Sequence, residues 1–307
     1  MVRVRGGEFT LGAATQNPNS YDTGSAMGSG SVTLNDFYIS RTPITQAQFD
    51  FVMGYSDPTY APPHLFICGR TFFGNNLPTS ARPAEQVSWY AAIAFANKLS
   101  IMKGRTPVYS IPGIDSLNLD NGAVAIAGWR NLRLAQIPTA NNATWNAVTQ
   151  NLDVNGFRLL TEAEWEFAAR GGVRRFYYQD VNGLDRFFAN SNNSADIWRH
   201  NMSGPHIQSV MTSPPGSSAN GGGIPNALGL YDMSGLVSEW VWNWWTVPPA
   251  LGLNPVGPVS FGNTSERITR GGSWSSHTCS AQVSSRSSVV PSQHRNYIGF
   301  RLAASVR

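Results

Sequence analysis

Two thiols, five histidines and a run of glutamates are the side chains of this chain best suited to chemistry. A thiolate metal site needs cysteines close together, and Cys68 and Cys279 stand far apart in sequence. Cys68 lies in Leu65-Phe66-Ile67-Cys68-Gly69, where apolar neighbours suit a buried thiol better than an activated nucleophile. Two cysteines make no disulfide framework, and two unpaired small hydrophobes are the simpler reading. His64, His200, His206, His277 and His294 show no His-x-x-x-His spacing of the kind that sets two imidazoles on one helix face. Glu162, Glu164 and Glu166 have the look of an acid/base group. However, Thr161-Glu162-Ala163-Glu164 is a capping box, so they read as capping and surface residues of a helix. Trp240, Trp242, Trp244 and Trp245 could stack on sugars, but alternation puts three of them on one strand face, which suits a core.

The segment that structure does not dictate is the tail from 275 to 297, SSHTCSAQVSSRSSVVPSQHRNY. Eight of its 23 residues are serine, and Asp, Glu and Lys are absent from it. Stiff phrases flank it: Arg270-Gly271-Gly272-Ser273-Trp274 before, Gly299-Phe300-Arg301-Leu302-Ala303 after. A framed run of small, interchangeable polar residues suits a display surface, and a catalytic centre tolerates it poorly. The expected ligand-contacting positions are Ser275, Ser276, His277, Thr278, Ser280, Gln282, Ser284, Ser285, Ser287, Ser288, Val289, Ser292, Gln293, His294, Asn296 and Tyr297. Val283, Arg286, Val290, Pro291, Arg295 and Ile298 read as the fixed scaffold beside them, with Val283, Val290 and Ile298 facing inward.

Several elements are needed to hold that frame. Residues 2–12 read as a hairpin turning at Gly6-Gly7, and Val32 to Ile39 as a further strand. Thr45 with Gln48 forms a capping box that opens one helix. A second helix begins near Ser88, with Ala92, Phe95, Ala96 and Leu99 as its apolar face. The third runs from the Thr161 box to Arg170 and stops at Gly171-Gly172. Residues 104–156 read as an elaborated insertion, and 191–227 as a long loop-rich stretch.

Composition limits the classes. Ten tryptophans, fifteen phenylalanines and 13% charged residues exclude a disordered chain, while 30 glycines and 19 prolines imply many loops. The net charge of +4 comes without any basic run, so no nucleic-acid partner is expected. No apolar stretch reaches the length of a membrane span. Met1-Val2-Arg3-Val4-Arg5 is not followed by an apolar run, so the expectation is a cytosolic protein or an exported one whose signal is absent from this chain.

Eight phrases occur together in order: Arg5-Gly6-Gly7-Glu8-Phe9-Thr10-Leu11-Gly12, Phe37-Tyr38-Ile39-Ser40-Arg41-Thr42-Pro43-Ile44-Thr45, Val87-Ser88-Trp89-Tyr90-Ala91-Ala92, the stretch 157–170 (FRLLTEAEWEFAAR), Gly229-Leu230-Tyr231-Asp232-Met233-Ser234-Gly235, Glu239-Trp240, Arg270-Gly271-Gly272-Ser273-Trp274 and Gly299-Phe300-Arg301. Together they resemble the formylglycine-generating-enzyme (sulfatase-modifying factor) family over nearly the whole length. The resemblance implies an α+β chain with that family's C-type lectin fold. Its expected parts are small twisted antiparallel sheets, two to three helices and much irregular structure, in one domain over 1–307.

The family contains oxidases, other enzymes and binding proteins, so the site decides function. The resemblance implies that an oxidase would carry a copper-binding cysteine pair just after the Gly-Gly-Ser-aromatic phrase, because soft thiolates select Cu(I). Ser276 stands at the first of those positions, and Cys279 is the one thiol in the segment. The related sulfoxide synthases need three histidine ligands and an added helical domain, neither of which is evident. The framed tail instead resembles the variable region of retroelement-diversified proteins that use this fold. In those, substitution at adenines turns Asn codons into Ser, His, Tyr, Thr or Val codons. Most of the tail fits; Gln282 and Gln293 do not, and must be fixed or come from another codon.

The resemblance also implies a structural calcium held by the side chains of Asp232 and Glu239 and the carbonyls of Gly235 and Val237. Leu236 and Ser238 depart from the family's usual residues there. The alternative is that Asp232 caps a turn while Glu239 pairs with an arginine. The sequence thus favours a non-enzymatic, receptor-like binding protein with segment 270–303 as its variable part. It would need no cofactor beyond possible calcium, take a protein or glycan partner, and be displayed at the cell surface as the resemblance implies. Few anchors of the Trp, Tyr or Arg kind stand among the variable positions, so affinity on the order of micromolar is expected. A divergent metal-dependent oxidoreductase, or a lectin-like module of fixed specificity, are the alternatives.

Overall fold

A computed structural model describes residues 1–12, 29–54, 82–114, 128–172, 188–189, 225–258 and 265–306. Cys68, His64, His200, His206 and the stretch 191–224 lie outside the described residues. The N-terminal half carries strands β1 (Val2–Val4), β2 (Gly7–Leu11), β3 (Gly30–Leu34), β4 (Phe37–Ile39), β5 (Tyr109–Ser110), β6 (Thr149–Gln150) and β7 (Phe157–Arg158). The C-terminal half adds β8 (Ser238–Trp244), β9 (Gly252–Leu253), β10 (Arg267–Arg270), β11 (Arg286–Val289), β12 (Ile298–Phe300) and β13 (Ala303–Ser305). Among the described residues the helices α1 (Gln46–Met53), α2 (Trp89–Met102) and α3 (Glu162–Ala169) pack against them, with short helical pieces over 128–131 and at Ala143–Asn146 and a 3-10 turn at Leu134–Gln136.

The strands form small sheets in the orders β1-β4-β13-β7, β11-β10-β8-β12, β2-β3-β9 and β5-β6. Most pairings are antiparallel, but β12 runs parallel to β8 and β9 parallel to β3. The expected α+β class and small sheets are therefore observed, with these two parallel pairings added.

The first twelve residues do not form a hairpin. β1 pairs with β4, whereas β2 pairs with β3 in another sheet. Gly6 is pressed so close to the β3–β4 link that a Cβ there would lie 2.1 Å from the Leu34 carbonyl oxygen, so the chain crosses between sheets at this point. The single strand expected over 32–39 is likewise two strands, broken at Asn35-Asp36, where the Asp36 carboxylate accepts the Gly6 N–H at 2.9 Å.

All three helix starts are where the capping signals put them. Thr45 and Gln48 exchange bonds reciprocally, the Gln48 N–H donating to Thr45 Oγ1 at 3.3 Å and the Thr45 N–H to Gln48 Oε1 at 3.0 Å. Thr161 and Glu164 do the same for α3, and Ser88 caps α2 by accepting the Ala91 N–H at 3.1 Å. Helix α2 has no single apolar face: twelve of its fourteen residues are buried, and Leu99 is one of the two that are not. The stretch 104–156, read as an elaborated insertion, packs inward where it is described. Val108, Tyr109, Ile111, Trp129, Trp145 and Val148 all join the core around α2.

The glutamates of α3 overturn the surface reading most sharply. Glu162, Glu164 and Glu166 are all buried, each against arginine. Arg158 grips Glu164 through two bonds of 2.7 Å. Glu166 bonds both Arg170, one turn on, and Arg270 from β10. Glu162 accepts from Arg286 of β11, with Arg270 3.6 Å away. Trp240, Trp242 and Trp244 on β8 are core residues, as alternation implies. Between Trp89 and Trp244 lies Arg267, its guanidinium carbon 3.8 and 3.5 Å from the two ring centroids. Arg267 donates to the Trp242 carbonyl, and burial holds its pKa well below the usual arginine range.

Removing one partner of a buried pair strands the other charge in a medium that cannot solvate it. Glu166→Gln leaves both Arg170 and Arg270 short of a carboxylate, and we expect it to lower the unfolding free energy by about 3–5 kcal/mol in urea titrations. A loss below about 1 kcal/mol, the level of an exposed pair, would show that the network is dispensable.

Candidate ligand-binding face

The tail from 275 to 297 hangs between β10 and β12, and both ends of it are clamped. At the entry, Gly271 and Gly272 have φ of +89° and +64°. A Cβ on Gly271 would sit 2.9 Å from the Trp165 ring, and one on Gly272 2.8 Å from the Ser280 backbone, so only glycine fits either place. Trp274 then lies on Leu236 and Val237, with its backbone N–H donating to the Leu236 carbonyl at 3.0 Å. Its indole N–H donates to the Asn296 carbonyl at 3.1 Å, which ties the start of the segment to its end. At the exit, the Ser238 N–H donates to the Tyr297 carbonyl at 2.8 Å, and β12 joins β8.

Inside the clamp the chain makes a 3-10 turn at Thr278–Ala281, then runs along β10 as β11. His277 caps the turn, its Nδ1 accepting the Cys279 N–H at 3.4 Å and lying 3.2 Å from Cys279 Sγ. Arg286 points inward, donating to Glu162 and to the Thr246 carbonyl and covering the Trp245 ring at 4.7 Å. Pro291, Val283 and Ile298 are buried, as scaffold positions should be, whereas Val290 is half-buried rather than inward-facing.

The candidate contact residues do not share one environment. Ser275, His277, Ser287 and His294 are exposed. Ser276, Ser280, Ser284, Ser288, Val289, Gln293, Asn296 and Tyr297 are half-buried. Gln282, Ser285 and Ser292 are buried and cannot project outward; the Ser285 hydroxyl turns in to the Cys279 carbonyl at 2.6 Å. Tyr297 and Val289 rest partly on the core around α2, so Tyr297 offers less free surface than an anchor needs. Ser288 donates to Glu266, a scaffold carboxylate that nothing in the sequence marked.

A second scaffold contribution also carried no sequence signal. Gln86 holds φ +53°, a left-handed conformation uncommon for a side chain of its kind. Its N–H donates to the Arg295 carbonyl at 2.9 Å, and a backbone hydrogen bond joins it to His294. Partial burial lowers the His294 pKa, and this wins over the Gln86 contact, which raises it.

Of the expected calcium ligands, Glu239 is held by another cation, as the alternative of an arginine partner implies. Arg301 donates from Nε to Glu239 Oε2 and from Nη2 to Glu239 Oε1, both at 2.7 Å, and the Trp165 indole N–H adds a third bond at 2.7 Å. The same guanidinium reaches the Tyr231 and Asp232 carbonyls at 3.0 and 3.4 Å. Asp232 and Gly235 sit at φ +59° and +84°, and the Gly235 N–H donates to the Gly271 carbonyl. Both Glu239 oxygens are thus committed to donors, and the set Asp232, Gly235, Val237, Glu239 does not fit a calcium ion. Among the described residues no group of three or more His, Cys, Asp or Glu is arranged to hold a metal.

The comparisons with known proteins agree with this architecture. The description of a sulfatase-modifying factor enzyme 1-like domain matches residues 1–306. The chain belongs to that family. Treponema denticola variable protein 1 superposes with a TM-score of 0.71 at 29% identity, covering 99% of this chain and 94% of that one. The chaperone protein LppX of Paenibacillus barcinonensis is 31% identical over 92% of this chain and 81% of its own. The formylglycine-generating enzyme of Mus musculus is 28% identical over 99% of this chain and 74% of its own. The family therefore holds both proteins named as enzymes and one named as variable.

Two measurements test the partition between face and frame. Asn at Ser275, His277 and Ser287 should each change stability by no more than about 0.5 kcal/mol, the usual range for exposed sites. Tyr at Ser285 or Ser292 should cost about 1–3 kcal/mol through overpacking, and equal tolerance at all five would erase the partition. His294 gives the second. Its folded pKa lies below the ordinary 6.5, so the unfolded chain binds the proton more readily. Its contribution is whole above that value and declines as the pH falls through it. His294→Asn should flatten this part of the pH–stability profile, and an unchanged slope would assign it to other groups.

Proposed function

We propose that this chain is a non-enzymatic binding protein that grips its partner through the face formed by residues 275–297, and that a retroelement diversifies the exposed positions there. One observation carries the reading: the frame from Gly271-Gly272-Trp274 to β12, where neither glycine has room for a Cβ, encloses a run of small polar side chains most of which are exposed or half-buried. The likeness to a protein named as variable supports it. Surface display follows from the same resemblance; among the described residues no helix is long and apolar enough to cross a membrane.

The partner would be a protein or glycan surface rather than a small cofactor. Hydroxyls and imidazoles at Ser275, His277, Ser287 and His294 supply donors and acceptors in a shallow array, with little aromatic area. Interfaces of that composition lack the Trp, Tyr and Arg anchors that dominate binding energy, so this variant should bind at about micromolar strength or weaker.

An oxidoreductase is the second reading, favoured by the relatives named as enzymes and by the 3.2 Å approach of His277 to Cys279. A two-thiolate copper site would need a second sulfur, and Ser276 bonds Ser273 instead, Oγ to Oγ at 2.8 Å.

Sequencing the encoding locus separates the readings. A downstream near-copy of codons 270–303, differing almost only at adenines and lying beside a reverse-transcriptase gene, is the expected result. With no such copy, diversification is wrong; copper or iron retained stoichiometrically through purification would then favour the oxidoreductase.

A further inference from the structure

Arg286, Arg301 and Arg267 bury the same fork of nitrogens, and two of them have filled it. Arg301 spends Nε and Nη2 on the two oxygens of Glu239, and Arg286 spends the same pair on Glu162. Arg267 is 1% exposed, yet its Nε and Nη2 bond nothing. Its Nη1 alone is used, on the Trp242 carbonyl. Arg158, Arg170 and Arg270 also leave nitrogens unbonded, but each of those already holds a glutamate. Among the described residues no carboxylate pairs with Arg267. Glu266, next in the chain, takes the Ser288 hydroxyl instead, and the groups whose charges act on the guanidinium are the Tyr109 and Tyr90 hydroxyls.

The rings around Arg267 answer a different part of the group. Trp89 and Trp244 cover its flat faces at 3.8 and 3.5 Å, and Trp242 stands at 4.9 Å. Aromatic faces attract the flat of a guanidinium, whereas its N–H groups point outward in the plane. The strands are shaped for this placement. Arg267 and Thr269 on β10 face Trp244 and Trp240 on β8, an irregular register at whose middle Trp242 turns its carbonyl to Nη1. Bulges of this kind re-aim side chains and are over-represented beside functional sites. Water can satisfy two N–H groups but supplies no counter-charge, and an uncompensated buried cation is costly.

We infer that Arg267 is the centre of a binding site for a small carboxylate, held side-on by Nε and Nη2 among the tryptophan rings. The chemistry is that of the two filled forks: a planar anion whose two oxygens match two parallel N–H groups. Ring walls suit a flat group with a short apolar tail better than a bulky hydrated oxyanion. Tyr90 leads from this region to the surface. Its hydroxyl donates to Asn146 Oδ1 at 2.7 Å and accepts the Asn142 N–H at 3.1 Å, beside the exposed Asn141.

Acetate is the probe, acetamide its neutral isostere, and chloride the ionic-strength control. Trp89, Trp242 and Trp244 report on the fork through intrinsic fluorescence. Acetate at about millimolar concentrations, the range open to so small a ligand, should shift the emission saturably and raise the melting temperature. Acetamide and chloride should do neither. Arg267→Lys keeps a cation but loses the fork, and should weaken acetate at least about tenfold. The comparison of acetate with acetamide on the unaltered chain holds whether or not that variant folds. No response to acetate at tens of millimolar, an equal response to acetamide, or an undiminished response in folded Arg267→Lys would each overturn the site.

Discussion

Helix α3 drives three carboxylates into the interior, and much of the fold is arranged to meet them. A buried, unpaired carboxylate costs several kcal/mol, so Glu162, Glu164 and Glu166 are tenable only with Arg286, Arg158, Arg170 and Arg270 in place. Arg270 and Arg286 come from β10 and β11, the two strands that carry the tail. The helix therefore cannot settle until that frame has formed, and the frame has no counter-charge without the helix. Packing alone would allow the sheet to slide against α3; these directional bonds fix one placement.

What could be read in the sequence follows from how local its cause is. The caps at Thr45, Ser88 and Thr161 were legible because each bond spans three residues. The fate of the α3 glutamates was not, because their partners lie as far as 124 positions away. A capping box names the end of a helix and says nothing about which side of it meets solvent. Gly6-Gly7 misled for a related reason. Paired glycines signal a turn, but Gly6 is small because β3 lies against it.

The tail shows the same limit at finer grain. Its frame was legible as glycine, tryptophan and arginine phrases, and Arg286 and Pro291, read as scaffold, do turn inward. Serine, by contrast, is small enough to be buried or exposed at nearly equal cost, so its type does not reveal its side. Ser285 is inside just after the 3-10 turn, Ser292 is inside at the turn that follows β11, and Ser287 on β11 is outside. Gln86 and Glu266 were invisible, since they touch the tail from segments with no pattern linking them to it.

The loop from Tyr231 to Glu239 illustrates how a tethered cation can hold a turn. Arg301 gathers the Glu239 carboxylate and the carbonyls of Tyr231 and Asp232, contacts that a divalent ion would otherwise make in such a loop. A free ion stabilises in proportion to the logarithm of its concentration over its dissociation constant, so a loop that depends on one loosens as the ion is diluted. A guanidinium belonging to the chain is present at every concentration. Arg301 also lies between β12 and β13, directly after the tail. The residue that closes the frame is thus the residue that orders the loop beneath Trp274.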